Sequence, residues 1–287
     1  MAKNRSKKRI NRSRGGDIVL VLVLAIVSAF MIFPIVFNIG NAFKSVDEYW
    51  TYPPTIFPKR IVLDNFIMLS SLANSVIMPM SRFIFNSILY TSVGTIGQIV
   101  FASMCAYPLA KMNFPGKKIL FQIIVVSLMF NGTVLTIPSY LVFSTLGWID
   151  NPLSIIVPAF SLPIGLYLMK QFMEQMVPDT VLEAARIDGA KEYVIFWKIV
   201  MPMVRPAWLT LIIFSVQALW GVENSVLIQS DQFKTLSFFL NQIATSSTAL
   251  AGVGSVVSII MLSVPLITFM FTQSNIIATM STSGMKD

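Results

Sequence analysis

Histidine is absent from the 287 residues, and cysteine occurs once, at Cys105. That excludes a disulfide framework, a Cys/His metal site and any catalytic triad built on imidazole. Charge is scarce as well. Only 12% of residues are charged, against about 25% in soluble domains. With 55% hydrophobic residues and a mean hydropathy of +0.74, the chain reads as an integral membrane protein and not as a globular enzyme with a large water-soluble core. A phosphate loop of the form G-x-x-x-x-G-K-[ST] is missing too, because Gly116-Lys117 lacks the upstream glycine. The chain therefore does not bind ATP by that device. Acids are outnumbered, 13 to 21, giving a net charge of +8. In a soluble chain this would suggest nucleic acid; here membrane orientation explains it and no nucleic-acid partner is expected.

What is present is a series of apolar runs. Residues 1–16 form a basic tail with seven cations (Lys3, Arg5, Lys7, Lys8, Arg9, Arg12, Arg14) and no acid, suited to the cytoplasmic face and to anionic lipid. Residues 17–43 hold a long run, charge-free from Ile18 to Phe43, read as an uncleaved first span. Residues 44–81 read as an extracytoplasmic loop rich in proline and in interfacial aromatics (Tyr49, Trp50, Tyr52, Phe57). Residues 82–273 read as a five-helix core, and 274–287 as a cytoplasmic tail.

Within the core, 83–110 is the second span. It carries a small and polar stripe at helical spacing: Ser87, Thr91, Gly94, Gln98, Ala102 and Cys105. Small residues let helices pack closely, but an amide near mid-span is costly unless it faces protein or water, so Gln98 is the leading pathway candidate. The third span, 119–143, is interrupted by Asn131-Gly132 and by Pro138. Broken helices at membrane depth line cavities, which adds Asn131, Thr133 and Thr136 as pathway candidates. The fourth span, 151–169, should kink at Pro158 and Pro163. The fifth is 207–222, followed by a polar outer loop, 223–249, with an amphipathic piece at 236–243; the sixth is 253–271.

Cation placement orients this series. If the N-terminus is cytoplasmic, so are the seven tail cations, Lys111, Lys117 and Lys118 of a basic turn, five around residues 170–205, and Lys286. Only Lys44, Lys59, Arg60, Arg82 and Lys234 fall outside. This is the positive-inside pattern, and it places both termini and the stretch 177–206 in the cytoplasm.

That stretch is charge-rich in an otherwise lipid-soluble chain. Pro178 and Asp179 can open a short helix, and Asp188-Gly189 ends it, since glycine takes the left-handed conformation cheaply. Val181, Ala184 and Ala185 share a face by i, i+3, i+4 spacing, leaving it thin enough for a close partner, with Glu183 beside it. A second helix, Lys191 to Val200, carries Tyr193, Phe196 and Trp197, and Pro202 and Pro206 bracket the start of the fifth span. The product is a helix–Gly–helix elbow on the membrane surface.

Glu183-Ala184-Ala185, Gly189 after three intervening residues, Ile199 after nine more and then Pro202 have the spacing of the EAA loop, so the chain resembles the permeases of ABC importers. Met201 stands where that family usually has Leu, a swap that conserves apolar volume. The resemblance implies an all-α, MetI-like fold of six transmembrane helices in the bacterial cell membrane. It implies ATPase coupling through Glu183, Ala184, Ala185, Asp188, Gly189, Ile199 and Pro202. It also implies separate ATPase subunits that hold the ATP and Mg, a second related permease, and an extracellular solute-binding protein. Ala106-Tyr-Pro-Leu-Ala-Lys111, the Pro-Gly-Lys-Lys turn at 115–118 and Glu-Ala-Ala-Arg-Ile-Asp-Gly-Ala at 183–190 resemble the sugar-importer permeases related to the smaller maltose permease subunit. The alternative cargo within the same fold is peptide, amino acid or polyamine. An ion-coupled transporter would need intramembrane acids or inverted repeats, and a membrane enzyme a nucleophile–base pair; neither is visible.

Overall fold

A computed structural model describes residues 14–75, 78–130, 132–223, 226–246 and 251–283. Among the described residues the chain is helical throughout, with no strand. Four helices are long and apolar enough to cross a membrane: Gly15–Ala42, Met80–Lys111, Leu153–Met176 and Ala251–Gln273. Two bent pairs raise this to six if each pair counts as one span.

Helix α1 (Arg14–Ala42) is apolar on every side and is buried only in its last turn, at Gly40, Asn41 and Ala42. The following stretch, expected as a loop, holds two helices, α2 (Val46–Tyr49) and α3 (Asp64–Ser75). Asn65 explains part of this order. Its amide donates to the carbonyls of Ala42 (3.0 Å) and Lys44 (2.8 Å), stitching α3 to the end of α1. The Lys44 ammonium bonds Asn41 Oδ1 at 2.7 Å and the Thr55 carbonyl. Leu69 and Ala73 of α3 are then buried in an apolar cluster with residues of α4, α12, α13 and α14.

Helix α4 (Met80–Lys111) is the central element, packed against much of the bundle. Helices α5 (Lys117–Ser127) and α6 (Gly132–Thr145) form the first bent pair, at 106°. The break precedes α6, and Pro138 does not interrupt it: the helix runs through. Helices α7 (Leu153–Phe160) and α8 (Pro163–Met176) meet at Ser161-Leu162. Here the expected proline effect holds, since Leu162 is pushed to an extended conformation (φ −60°, ψ 116°) by the ring of Pro163.

Past α8 come the elbow helices α9 (Asp179–Ile187), α10 (Glu192–Ile195) and α11 (Met201–Met203), with a π-helical turn at Phe196–Val200 between the last two. Helix α12 (Arg205–Trp220) leaves this segment at 77°. The polar stretch expected as an outer loop carries α13 (Leu236–Ser246), at the predicted amphipathic piece. The last helix, α14 (Ala251–Ser283), runs ten residues past the expected start of a polar tail at 274. Most of the basic N-terminal tail lies outside the described residues, as do residues 284–287.

Two apolar clusters sit at opposite ends of the bundle. One joins α3, α4, α12, α13 and α14 around Phe83, Trp220, Phe239 and Val256. The other joins α4, α8 and α12 to the elbow around Tyr107, Met169, Met173, Leu182, Ile195 and Val200.

Candidate functional site: the elbow and its supports

Pro178 occupies the cap position of α9 in extended conformation (φ −66°, ψ 138°), and Asp179 is the first helical residue. At the other end Gly189 has φ +80°. The Gly189 N–H donates to the Arg186 carbonyl and the Ala190 N–H to the Ala185 carbonyl, each at 3.0 Å. This pair of bonds is the Schellman closure, which needs a left-handed residue at this position. A Cβ placed on Gly189 would meet nothing within 4 Å. The glycine is therefore required by backbone conformation and not by crowding.

The faces of α9 divide differently from expectation. Leu182 (1% exposed) and Ala185 (8%) point inward, onto Met169, Met173 and Tyr107. Val181 and Ala184 point outward with Glu183 and Ile187. Leu182 is the largest apolar group on the helix and takes the buried side; Ala185, three residues on, follows it and lets α9 lie close to the bundle. Of the seven coupling candidates, Glu183, Ala184, Asp188, Gly189 and Pro202 are exposed, Ile199 is half-buried and Ala185 is buried.

The segment after the hinge was expected to be a plain helix. It begins as one, then widens into the π-turn, with the Met201 N–H reaching back to the Phe196 carbonyl. Such one-turn π segments occur often at functional sites. The turn buries Phe196 and Val200 while Tyr193 and Trp197 stay exposed, at 65% and 48%. Val204 (φ −92°, ψ 24°) then breaks the helix ahead of Pro206.

Polar ties hold the elbow to α4. Lys111 Nζ meets Asp179 Oδ1 at 2.8 Å. The hydrogen bond from Lys111, and then its charge, hold the Asp179 carboxyl below the ordinary carboxylate range. Tyr107 donates its hydroxyl to Glu192 Oε2 at 2.7 Å, and Arg186 Nε donates to Glu192 Oε1 at 2.7 Å. Neither tie to α4 is legible from spacing: Tyr107 and Glu192 are 85 residues apart, Lys111 and Asp179 are 68 apart.

The pathway candidates do not converge. Gln98 is fully buried between α4, α8 and α12. Its Oε1 accepts the hydroxyl of Ser215, and a Cβ on Gly165 would lie 2.8 Å from its Nε2. This is the setting of an interhelical tie. Its Nε2 and the hydroxyls of Thr91 and Thr95, also buried, have no partner among the described residues. Thr133 and Thr136 lie on the exposed side of α6, where Thr136 donates to the Gly132 carbonyl. Asn131 lies outside the described residues. An apolar cavity of about 780 Å³ opens instead at the α7–α8 break, lined by Phe101, Cys105, Ile124, Phe143, Phe160 and Leu166 among others.

The opposite end of the bundle has a fixed loop. Asp150, at φ +57°, accepts the N–H groups of Gln229 (3.0 Å) and Ser230 (2.8 Å) and the Ser230 hydroxyl. Asn86 donates to the carbonyls of Gln232 (2.8 Å) and Lys234 (3.0 Å), and Tyr90 to that of Phe233 (3.0 Å). The Leu236 N–H donates to Ser87 Oγ at 2.8 Å. Residues 227–236 are thus held by the α6–α7 turn and by the first turns of α4.

An all-helical bundle with four to six membrane-length helices and a protruding helix–Gly–helix elbow is the build of a membrane transport component. The family of binding-protein-dependent transport system inner membrane components matches residues 98–282, and this chain belongs to it. It is 32% identical over 221 residues to Protein LplC of Bacillus subtilis (strain 168), covering 77% of this chain and 72% of that one. It is 27% identical over 274 residues to the arabinooligosaccharides transport system permease protein AraQ of Halalkalibacterium halodurans, covering 93% and 95%. In fold it is similar to a crystal structure of a bacterial ABC transporter involved in the import of the acidic polysaccharide alginate. The TM-score is 0.77 at 21% identity, covering 93% of this chain and 99% of that one. The chain is thus a multi-pass inner-membrane permease component of a transport system, and its family is one of transporters and not of enzymes.

Proposed function

We propose that this chain is the permease subunit of an ATP-driven, binding-protein-dependent importer of sugars or oligosaccharides. Relatives named for arabinooligosaccharides, polygalacturonan/rhamnogalacturonan and diacetylchitobiose support the cargo class. In this reading it forms the translocation pathway with a second, related permease, and an extracellular solute-binding protein delivers the cargo. ATP and Mg are bound by a separate ATPase pair, consistent with the missing phosphate loop. In this reading both termini and the elbow are cytoplasmic, which the cation bias supports.

The observation that carries the proposal is the elbow. Glu183, Ala184, Asp188 and Gly189 form one exposed end of a short helix pair. The buried faces of the same pair are packed into the ends of α4, α8 and α12. An ATPase cleft closing on that knob moves three spans at once. Nucleotide then shifts the balance between inward- and outward-facing states by binding one of them better. The test is copurification of the ATPase and cargo-stimulated hydrolysis in proteoliposomes, for the native elbow and for Glu183→Lys. Native-level coupling in Glu183→Lys would remove the elbow as the docking surface.

A second cargo has a specific observation behind it. A relative from Yersinia enterocolitica, 28% identical and covering 87% of this chain, is named for sn-glycerol-3-phosphate transport. Uptake of labelled oligosaccharide against labelled glycerol phosphate in the same vesicles separates the two.

A further inference from the structure

The elbow is attached to the bundle in two ways. Its inner faces are greased onto three helices by apolar contacts, which are non-directional and tolerate sliding. Its polar attachments are directional: Trp208 Nε1 of α12 donates to the Met201 carbonyl at 3.2 Å, and two side-chain ties to α9 and α10 run to α4. Lys111 is the last residue of that helix and Tyr107 lies one turn earlier on the same face, at i, i+4 spacing. Lys111 grips the start of α9 through Asp179. Tyr107 reaches the other side of the hinge, to Glu192, the first residue of α10.

Glu192 has an unusual position in this arrangement. One carboxylate oxygen takes the Arg186 guanidinium from the last turn of α9, and the other takes the Tyr107 hydroxyl from α4, each at 2.7 Å. A single side chain thereby closes the Gly189 hinge and fastens it to a span. The Tyr107 ring is 4% exposed and packed on Phe196 of the π-turn, with centroids 5.6 Å apart, so its hydroxyl cannot swing away freely. The Lys111 side chain is 5% exposed, which also fixes its direction.

Helix α4 continues from these ties to the far side of the protein. It has 32 residues, a length of about 48 Å at 1.5 Å per residue. Midway, Gln98 engages Ser215 of α12; at the far end Asn86, Ser87 and Tyr90 hold the 227–236 loop. A displacement of the hinge is therefore handed to one rod that ends at the outer loop.

The geometry points to Glu192, with Tyr107 and Arg186, as the positioning link that converts movement of the elbow into movement of α4. The link rests on the reading of the elbow as the ATPase-docking surface, but it is a separate device: it faces the bundle, whereas Glu183 and Ala184 face outward. A variant that cuts the link should leave docking intact and lose the transmission.

The experiment measures cargo transported per ATP hydrolysed in proteoliposomes containing the assembled transporter, beside ATPase copurification. Tyr107→Phe removes the hydroxyl and keeps the packed ring. Glu192→Ala removes the bridge, and Glu192→Gln keeps its shape, with one oxygen for Arg186 and an amide that can donate to the Tyr107 hydroxyl. Tyr107→Phe and Glu192→Ala should copurify the ATPase normally while transport per ATP falls about tenfold, the worth of one hydrogen bond to a charged group. Glu192→Gln should recover most of that loss. The double variant Tyr107→Phe/Glu192→Ala should be no worse than Glu192→Ala alone, because the two act through one contact. Native transport per ATP in Tyr107→Phe, or losses that multiply in the double variant, would overturn the link while leaving docking in place. A native elbow that recruits no ATPase would overturn docking and link together. If Glu192→Ala does not assemble, Tyr107→Phe and Glu192→Gln alone decide the matter.

Discussion

Replacing Gly189 separates backbone strain from crowding at the hinge, because the structure fixes one and excludes the other. The residue has φ +80° and open space where a side chain would stand. Any cost must come from the left-handed backbone alone. For alanine that cost is about 1 kcal/mol, near the low end for an L-residue in this region. For β-branched valine it is about 2–3 kcal/mol. Asparagine is bulkier than alanine yet tolerates the left-handed region. If relief of strain opens the hinge, the closed form falls about fivefold for Gly189→Ala and thirtyfold or more for Gly189→Val. Gly189→Asn should stay near native. The assay is cargo-stimulated ATP hydrolysis in proteoliposomes, with copurification of the ATPase as the docking control. The expected order of coupling is Gly, Asn, Ala, Val, which does not follow side-chain size. An order that follows size, or a valine variant that couples like native protein, would refute the argument from φ.

Three further outcomes can be checked directly. In a Cys105-free background, an impermeant thiol reagent applied to intact cells should label a single cysteine at position 231 and not one at 191; labelling at 191 would invert the orientation. Gln98→Leu should lower thermal stability in detergent by about 0.6–2 kcal/mol by stranding the Ser215 hydroxyl, and Ser215→Ala should add little on top; an unchanged melting temperature with lost transport would return Gln98 to the pathway. Asp150 is held below its ordinary value of 3.8, chiefly by the Ser230 hydroxyl and then by the backbone N–H groups of Ser230 and Gln229. A depressed carboxylate contributes its tie above the unfolded value and loses it as pH falls through the folded one. At neutral pH the Gln229 and Ser230 amides should therefore be protected from hydrogen exchange, and Asp150→Asn should expose them; equal protection in both proteins would count against the clamp.

Local features were readable from sequence, and distant pairings were not. The apolar runs locate α1, α4 and the start of α14 within a few residues, since lipid demands about twenty apolar residues per crossing; the end of α14 lies twelve residues past the expected one. The glycine and proline punctuation predicts the end of α9 and the α7–α8 break. Helix α3 escapes because its burial depends on Asn65 finding carbonyls more than twenty residues away. Pro138, expected to interrupt the third span, is carried inside α6, whose residues are almost all exposed within this chain. The outward turn of Ala184 and the inward turn of Ala185 follow from Leu182, whose preference is visible only once Met169 and Met173 stand opposite. The Tyr107–Glu192–Arg186 contact leaves no periodic trace at all.

Helix α1 shows how unevenly a chain can spend its sequence information. The 18-residue apolar heart of the span has no buried residue within this chain; toward the end of the helix, partial burial begins at Val36 and full burial only at Gly40. Along the exposed part, one apolar side chain serves a lipid environment about as well as another, so substitutions among Leu, Ile, Val and Phe there are close to interchangeable. Gly40 is the reverse: a Cβ on it would fall 2.2 Å from the Ile56 carbonyl oxygen, inside any allowed contact. A library of variants across α1 would thus be permissive for most of its length and abruptly intolerant at Gly40. The helix that makes the longest apolar statement in the sequence is specified, residue by residue, almost entirely at its final turn.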